Sequence, residues 1–218
     1  MAEIEQYSGI ESLDCNDWFV IVKAPIQVVA PAFVQIRQAT VWQQDVYDRE
    51  IEIIGQDFIV FQFRGHAWTL LHRLLSRKVE PNEEDAERLA RHLDTEVIYY
   101  RISDTAEFIR YRLYDSTGLV ESLSHEDGSG QFYSTRRQLS AASIENPWTF
   151  ADDFMSERGI YVPMVFLPEV AVGQRMLLRI ETHMTHSSDP VAVGSIPPVT
   201  FKQSDFSRFD HVGIEASR

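Results

Sequence analysis

Residues 57–72, DFIVFQFRGHAWTLLH, decide the fold. The stretch is dense in β-branched and aromatic residues and carries one glycine, so it reads as two strands in mid-sheet, joined or bent at Gly65. Strand alternation sets Ile59, Phe61 and Phe63 on one face and Phe58, Val60, Gln62 and Arg64 on the other. The second face turns from apolar to polar towards Gly65.

Working outward, residues 107–123 repeat the pattern. Ile109, Tyr111 and Leu113 alternate with Phe108, Arg110, Arg112 and Tyr114, then Asp115-Ser116-Thr117-Gly118 supplies a hairpin turn. Residues 18–23 form a near-continuous apolar run suited to a central strand, ended by Ala24-Pro25. Ile26, Val29, Phe33 and Ile36 then recur at helical spacing, with Pro25 at the first helical position and Pro31 inside the pattern. Between 39 and 54 the pattern fits two modest strands with a turn near Asp48-Arg49. The clearest helix starts at Asn82 as N-cap, has Glu83, Glu84 and Asp85 in its first turn, and buries Ala86, Leu89, Ala90 and Leu93. Another opens at Asn146-Pro147 and stops at Gly159. Residues 96–102 and 174–183 read as further strands, and 125–130 as a glycine-rich loop.

These elements predict an α+β fold: a mostly antiparallel sheet of about five to eight hairpin-built strands, with about three helices packed on one face. Residues 1–17 read as an acidic lead-in and 18–190 as one domain, with a possible subdivision near 128. Residues 191–218 read as a C-terminal arm laid on the body through Phe201, Phe206, Phe209 and Val212.

The 218 residues are 44% hydrophobic, 24% charged and 11% aromatic, enough for a core without disulfides or metal. The formal charge of -13, from 33 acids and 20 bases, repels nucleic-acid phosphates and anionic lipid heads and favours cationic partners. Cys15 is the one cysteine, which fits a reducing compartment. The acidic N-terminal residues do not look like a secretory signal, and charged residues interrupt every apolar run before it reaches membrane-span length. The expected object is soluble and cytoplasmic, with neither membrane nor nucleic acid as partner.

Phosphate-loop, dinucleotide, nucleophile-elbow, HExxH and CxxC motifs are absent. Ser124, His125 and Asp127 adjoin in sequence, whereas triad members converge from separate elements. Cys15 lies among acids, which would raise its pKa, so no catalytic residue and no cofactor is implied. Glu181, His183, His186 and Asp189 are ligand types that zinc accepts, but their spacing matches no known site; two histidines at an exposed strand end is the plainer reading. The remaining constellation is Arg64, His66, Trp68, Arg110 and Arg112. Were the two hairpins neighbours, these would form a cationic patch flanked by Phe108, Tyr99 and Tyr114, able to take a carboxylate, a phosphate or an acidic partner. The plainer alternative is an outer sheet face balanced by Glu107 and Glu121.

Two functions follow. The first is a non-enzymatic interaction or regulatory module, inhibitor- or immunity-like, whose acidic runs at 3–17 and 80–96 steer a basic protein partner. The second is a binder of, or enzyme acting on, a small anionic ligand through the Arg/His/Trp patch. The order of elements is similar to that of bacterial α+β domains of unassigned chemistry, and no motif carries residues across.

Overall fold

A computed structural model describes residues 4, 7–11, 16–74, 81–103, 105–165, 167–168, 170–182 and 199–215. The strands are β1 (Gly9–Ile10), β2 (Asn16–Val22), β3 (Val41–Gln43), β4 (Glu50–Glu52), β5 (Gly55–Phe63), β6 (Thr69–Leu74), β7 (Val97–Ser103), β8 (Phe108–Asp115), β9 (Gly118–Glu126), β10 (Ser129–Ser134), β11 (Tyr161–Val162), β12 (Arg175–Leu177), β13 (Glu181–Thr182), β14 (Val199–Thr200) and β15 (Phe206–Glu215). The helices are α1 (Ile26–Arg37), α2 (Glu83–Leu93) and α3 (Pro147–Ser156). Nine strands form one sheet in the order β10-β9-β8-β7-β2-β6-β5-β15-β3, and every neighbouring pair is antiparallel. The fold is α+β.

The two faces of β5 bury as alternation dictates. Ile59, Phe61 and Phe63 belong to one core, with Phe19, Ile21, Tyr111, Leu113, Phe154 and Phe209; Phe58 and Val60 belong to the other, with Val29, Phe33, Leu89 and Val212. Helices α1 and α2 cover the second face and α3 the first. The helices therefore divide between the faces rather than sharing one, as the doubly apolar β5 requires.

Local chemistry sets the helix ends. Asn82 accepts from the Asp85 N–H while the Asp85 carboxylate accepts from the Asn82 N–H, a capping box at the start of α2. Pro25 is the N-cap of α1 rather than its first residue and has no side-chain cap to offer. Gln62 substitutes from β5: its Oε1 accepts from the Ile26 N–H at 3.2 Å, while its Nε2 donates to the His66 carbonyl at 2.8 Å. The polar end of the β5 pattern thus caps a helix.

Three further expectations change. The glycine-rich segment 125–130 is not a loose loop, because Asp127 and Gly128, at φ 48° and 75°, make the tight turn between β9 and β10. The hairpins β5–β6 and β8–β9 are not neighbours, since β2 and β7 lie between them. Instead of an arm, Phe206–Glu215 is a ten-residue strand set between β5 and β3. A bulge between Phe206 and Arg208 lets Phe206 and Phe209, three apart, face the same core, which hides the period of two.

Strand β15 is locked by packing and by charge. The Phe209 ring stacks on Phe61 with centroids 5.4 Å apart. Gly213 is obligatory in this packing, since a Cβ there would lie 2.7 Å from Ile54 Cδ1 and 3.2 Å from Asp57 Oδ1. The fully buried Asp210 carboxylate accepts from Trp42 Nε1 at 2.9 Å, from the Asp45 N–H at 3.2 Å and from Arg208 Nε at 2.8 Å, so β15 also fixes β3 and the loop after it. Phe209→Ala should lower the unfolding free energy by about 3–5 kcal/mol in chemical denaturation. Val172→Ala, at an exposed site, should stay within about 0.5 kcal/mol of the parent chain.

Candidate functional site

Buried titratable groups are where tuned chemistry would sit, and here each is bound into the fold. His211 Nε2 lies 2.8 Å from Asp57 Oδ1, and Asp57 also accepts from the Gly55 and Ile54 N–H groups. His72 Nε2 contacts Asp17 Oδ1, and Asp17 accepts from the Trp18 N–H at 2.9 Å. Glu121, on β9, accepts from the Tyr111 hydroxyl at 2.8 Å, the Ser134 hydroxyl at 2.7 Å and Arg137 Nε at 3.2 Å. Burial, then the Glu121 charge, raises the Tyr111 pKa, so this phenol stays protonated as a donor. Each of these carboxylates is held by two or more hydrogen bonds within the fold. Ser124 and His125 point to opposite faces of β9, Ser124 accepting from Arg110 Nε at 3.3 Å. Cys15 lies outside the described residues.

The Arg/His/Trp constellation is dispersed. Arg110 and Arg112, on the α2 side of β8, both pair with Glu83 in the first turn of α2, Arg110 at 3.5 Å. Trp68 is buried on the α3 side, its Nε1 donating to the Arg158 carbonyl at 3.0 Å. The half-buried His66 ring also lies on that side, with Nε2 2.9 Å from the Ile4 carbonyl oxygen and the ring against Phe63 and Tyr161. Neither Glu107 nor Glu121 balances the β8 arginines; Glu83 does.

Within the acidic run at 80–96, Glu80 lies outside the described residues, and Glu84 pairs with Arg88, Glu87 with Arg91, Asp85 with Arg37, and Glu96 with Lys23 and Arg136. Of the metal candidates, Glu181 lies exposed on β13, while His183, His186 and Asp189 lie outside the described residues. Among the described residues no group of three or more His, Cys, Asp or Glu is placed to hold a metal ion. None of the described helices is long and apolar enough to cross a membrane.

One half-enclosed cleft, of about 380 Å³, lies at the β15 bulge. It is lined by Asp45, Tyr47, Arg64, Gln203, Ser204, Phe206, Ser207, Arg208 and Phe209. The bulge re-aims side chains here, a recurrent device beside binding sites. Arg208 is held by Asp210 through both its Nε and Nη2. Arg64 has its backbone N–H on the Asp205 carbonyl and its Nε on the Ser204 carbonyl at 2.9 Å, and among the described residues its guanidinium meets no carboxylate. Tyr47 donates to the Phe201 carbonyl, and burial pushes its pKa far up, so it is a fixed neutral wall. Arg64 was legible as a candidate; Arg208, Ser204 and Ser207 were not, because they fell in the supposed arm. Their one signal was two bases, Lys202 and Arg208, within an aromatic stretch of an acidic chain.

In comparisons with protein-family models, with curated proteins and with solved structures, nothing matches this chain.

One ion-pair cluster gives a pH test. Burial raises the Glu96 pKa, but hydrogen bonds from Arg136 and Lys23 outweigh it and leave the carboxyl below its ordinary value. A depressed folded pKa gives stability that is complete above the unfolded value and is lost as pH falls through the folded one. Glu96→Gln should therefore cost about 1–2 kcal/mol at neutral pH. In denaturation curves taken at successive pH values, the gap to the parent chain should close in acid.

Proposed function

We propose that the protein binds a small anionic ligand in the cleft between Arg64 and Arg208. The observation that carries this reading is Arg64: a guanidinium anchored through its Nε, facing a cleft that already holds a second, fixed guanidinium, in a chain of net charge -13. An acidic protein repels anions at long range, so a guanidinium that faces a concave site and meets no carboxylate among the described residues is worth keeping only for a short-range contact. Arginine presents a planar fork that matches carboxylate and phosphate oxygens. Gln203, Ser204 and Ser207 add neutral donors, and Asp45 adds one acceptor for a hydroxyl or amine of the same ligand. Phe206 and Phe209 form an apolar floor. This keeps the anionic-ligand reading of the sequence but moves it off the dispersed patch, with Arg64 as the residue common to both.

Thermal melting in inorganic phosphate, succinate or citrate, against sodium chloride of equal ionic strength, tests it. A ligand present at 100 times its Kd adds about 2.7 kcal/mol, read as a rise in Tm. Arg64→Gln should abolish the rise while leaving the ligand-free Tm within a degree or so, since its side chain is exposed. A rise that survives Arg64→Gln, or none with any of the three anions, refutes the proposal. Arg208 is unsuited to this test because its loss would strand the buried Asp210.

For the alternative, a protein-interaction module, Glu83, Glu84, Asp85, Glu87 and Glu96 offer little, since each is paired within the fold. That reading retains a different observation, the free edge of the sheet at β10.

A further inference from the structure

Strand β10 ends the nine-stranded sheet. Its six residues, SGQFYS, contain no charge and no proline, and their register with β9 runs without a bulge. Natural edge strands are normally guarded by charge, proline, a bulge or brevity, and the opposite edge, β3, is three residues long. The two-residue turn at Asp127–Gly128 fixes the hydrogen-bonding phase: Ser129, Gln131 and Tyr133 bond back to β9, so Gly130, Phe132 and Ser134 aim their N–H and C=O groups outward. Among the described residues none of these outward groups bonds to another segment. Beside the edge, on the α2 side, Tyr133 is 48% and Leu119 37% exposed. An unguarded row of donors and acceptors next to exposed apolar side chains is what added-strand pairing requires.

We infer that β10 pairs with β10 of a second copy of this chain, antiparallel, about a two-fold axis at Phe132. This rests on the interaction reading and is independent of the anion cleft. Charge selects the occupant. At net charge -13 two copies repel across most of their surfaces, and the uncharged β10 is where approach costs least. Its ends carry opposite signs: Glu126 and Asp127 precede it, Arg136 and Arg137 follow it. An antiparallel two-fold is the arrangement that sets each acidic end against the basic end of the other copy. Arg136 keeps 44% of its side chain exposed although it already bridges Glu96 and Asp115, and Arg137 is held by Glu121 and Glu157. The axis at Phe132 aligns Gly130 with Ser134 of the second copy, so every outward group finds a partner in phase. Gln131 then faces Tyr133 of the second copy, covering that ring. The outcome is one sheet continuous through both subunits, with α1 and α2 of each on corresponding faces.

Light scattering after size exclusion, across a dilution series, combined with amide hydrogen exchange of the full chain, tests this. The expected results are twice the chain mass and slow exchange at Gly130, Phe132 and Ser134. The double substitution Gln131→Glu with Tyr133→Glu changes only exposed side chains and sets like charges opposite one another; it should give a monomer of unchanged Tm with fast exchange at those three amides. Phe132→Pro, which removes one outward donor, should also give a monomer. Parent chain that is monomeric with fast exchange overturns the self-pairing while leaving the edge open to another polypeptide. A monomer with slow exchange shows the edge covered within the chain, and the interaction reading falls too. A dimer that persists in both variants overturns the assignment to β10.

Discussion

Strand β5 is buried on both faces and is nine residues long, so its backbone needs a partner on each side. Strand β6 supplies one and β15 the other, and the β5–β15 contact is the one on which much of the molecule depends. Through it Val212 reaches the core under α1, Phe206 and Phe209 reach the core under α3, and Asp210 gathers Trp42, Asp45 and Arg208. The bulge that starts the pairing also creates the cleft. Support for the fold and geometry for the candidate site therefore come from the same few residues.

Much of the architecture was readable from spacing. The face assignments at 58–63 and 108–114, the capped helix at 82–93 and the turn at 115–118 follow from local rules, because alternation and capping are decided within a few residues. The order of strands is decided by distant pairing and left no local trace. Arg64 and Arg110 looked like neighbours only while the hairpins could be placed side by side, and β2 and β7 separate them. Strand β15 escaped notice because its bulge shifts the apolar period from two to three between Phe206 and Phe209. For the same reason the cleft was legible only through Arg64.

The charge count conceals how the charges are spent. Of the acids, Asp57, Glu121 and Asp210 are almost fully buried and gather donors from several strands. Those around α2 are matched by Arg37, Arg88, Arg91, Arg110 and Arg112. Net charge thus says little about any one surface. A guanidinium left facing a cleft, and an edge without charge in a highly charged chain, are more informative than the total.

The partner that β5 needs in β15 is far away along the chain: Asp57 and His211, which meet in the finished sheet, are 154 residues apart. During synthesis β5 and β6 emerge long before β15 does. At a translation rate of about 5–20 residues per second, the Phe58–Phe63 strand waits several seconds with one edge unpaired and its aromatic face open. The nascent chain therefore passes through an obligatory interval in which its most apolar strand is a template for the wrong partner. Slow elongation lengthens that interval, and crowded ribosomes bring more unpaired copies of the strand together.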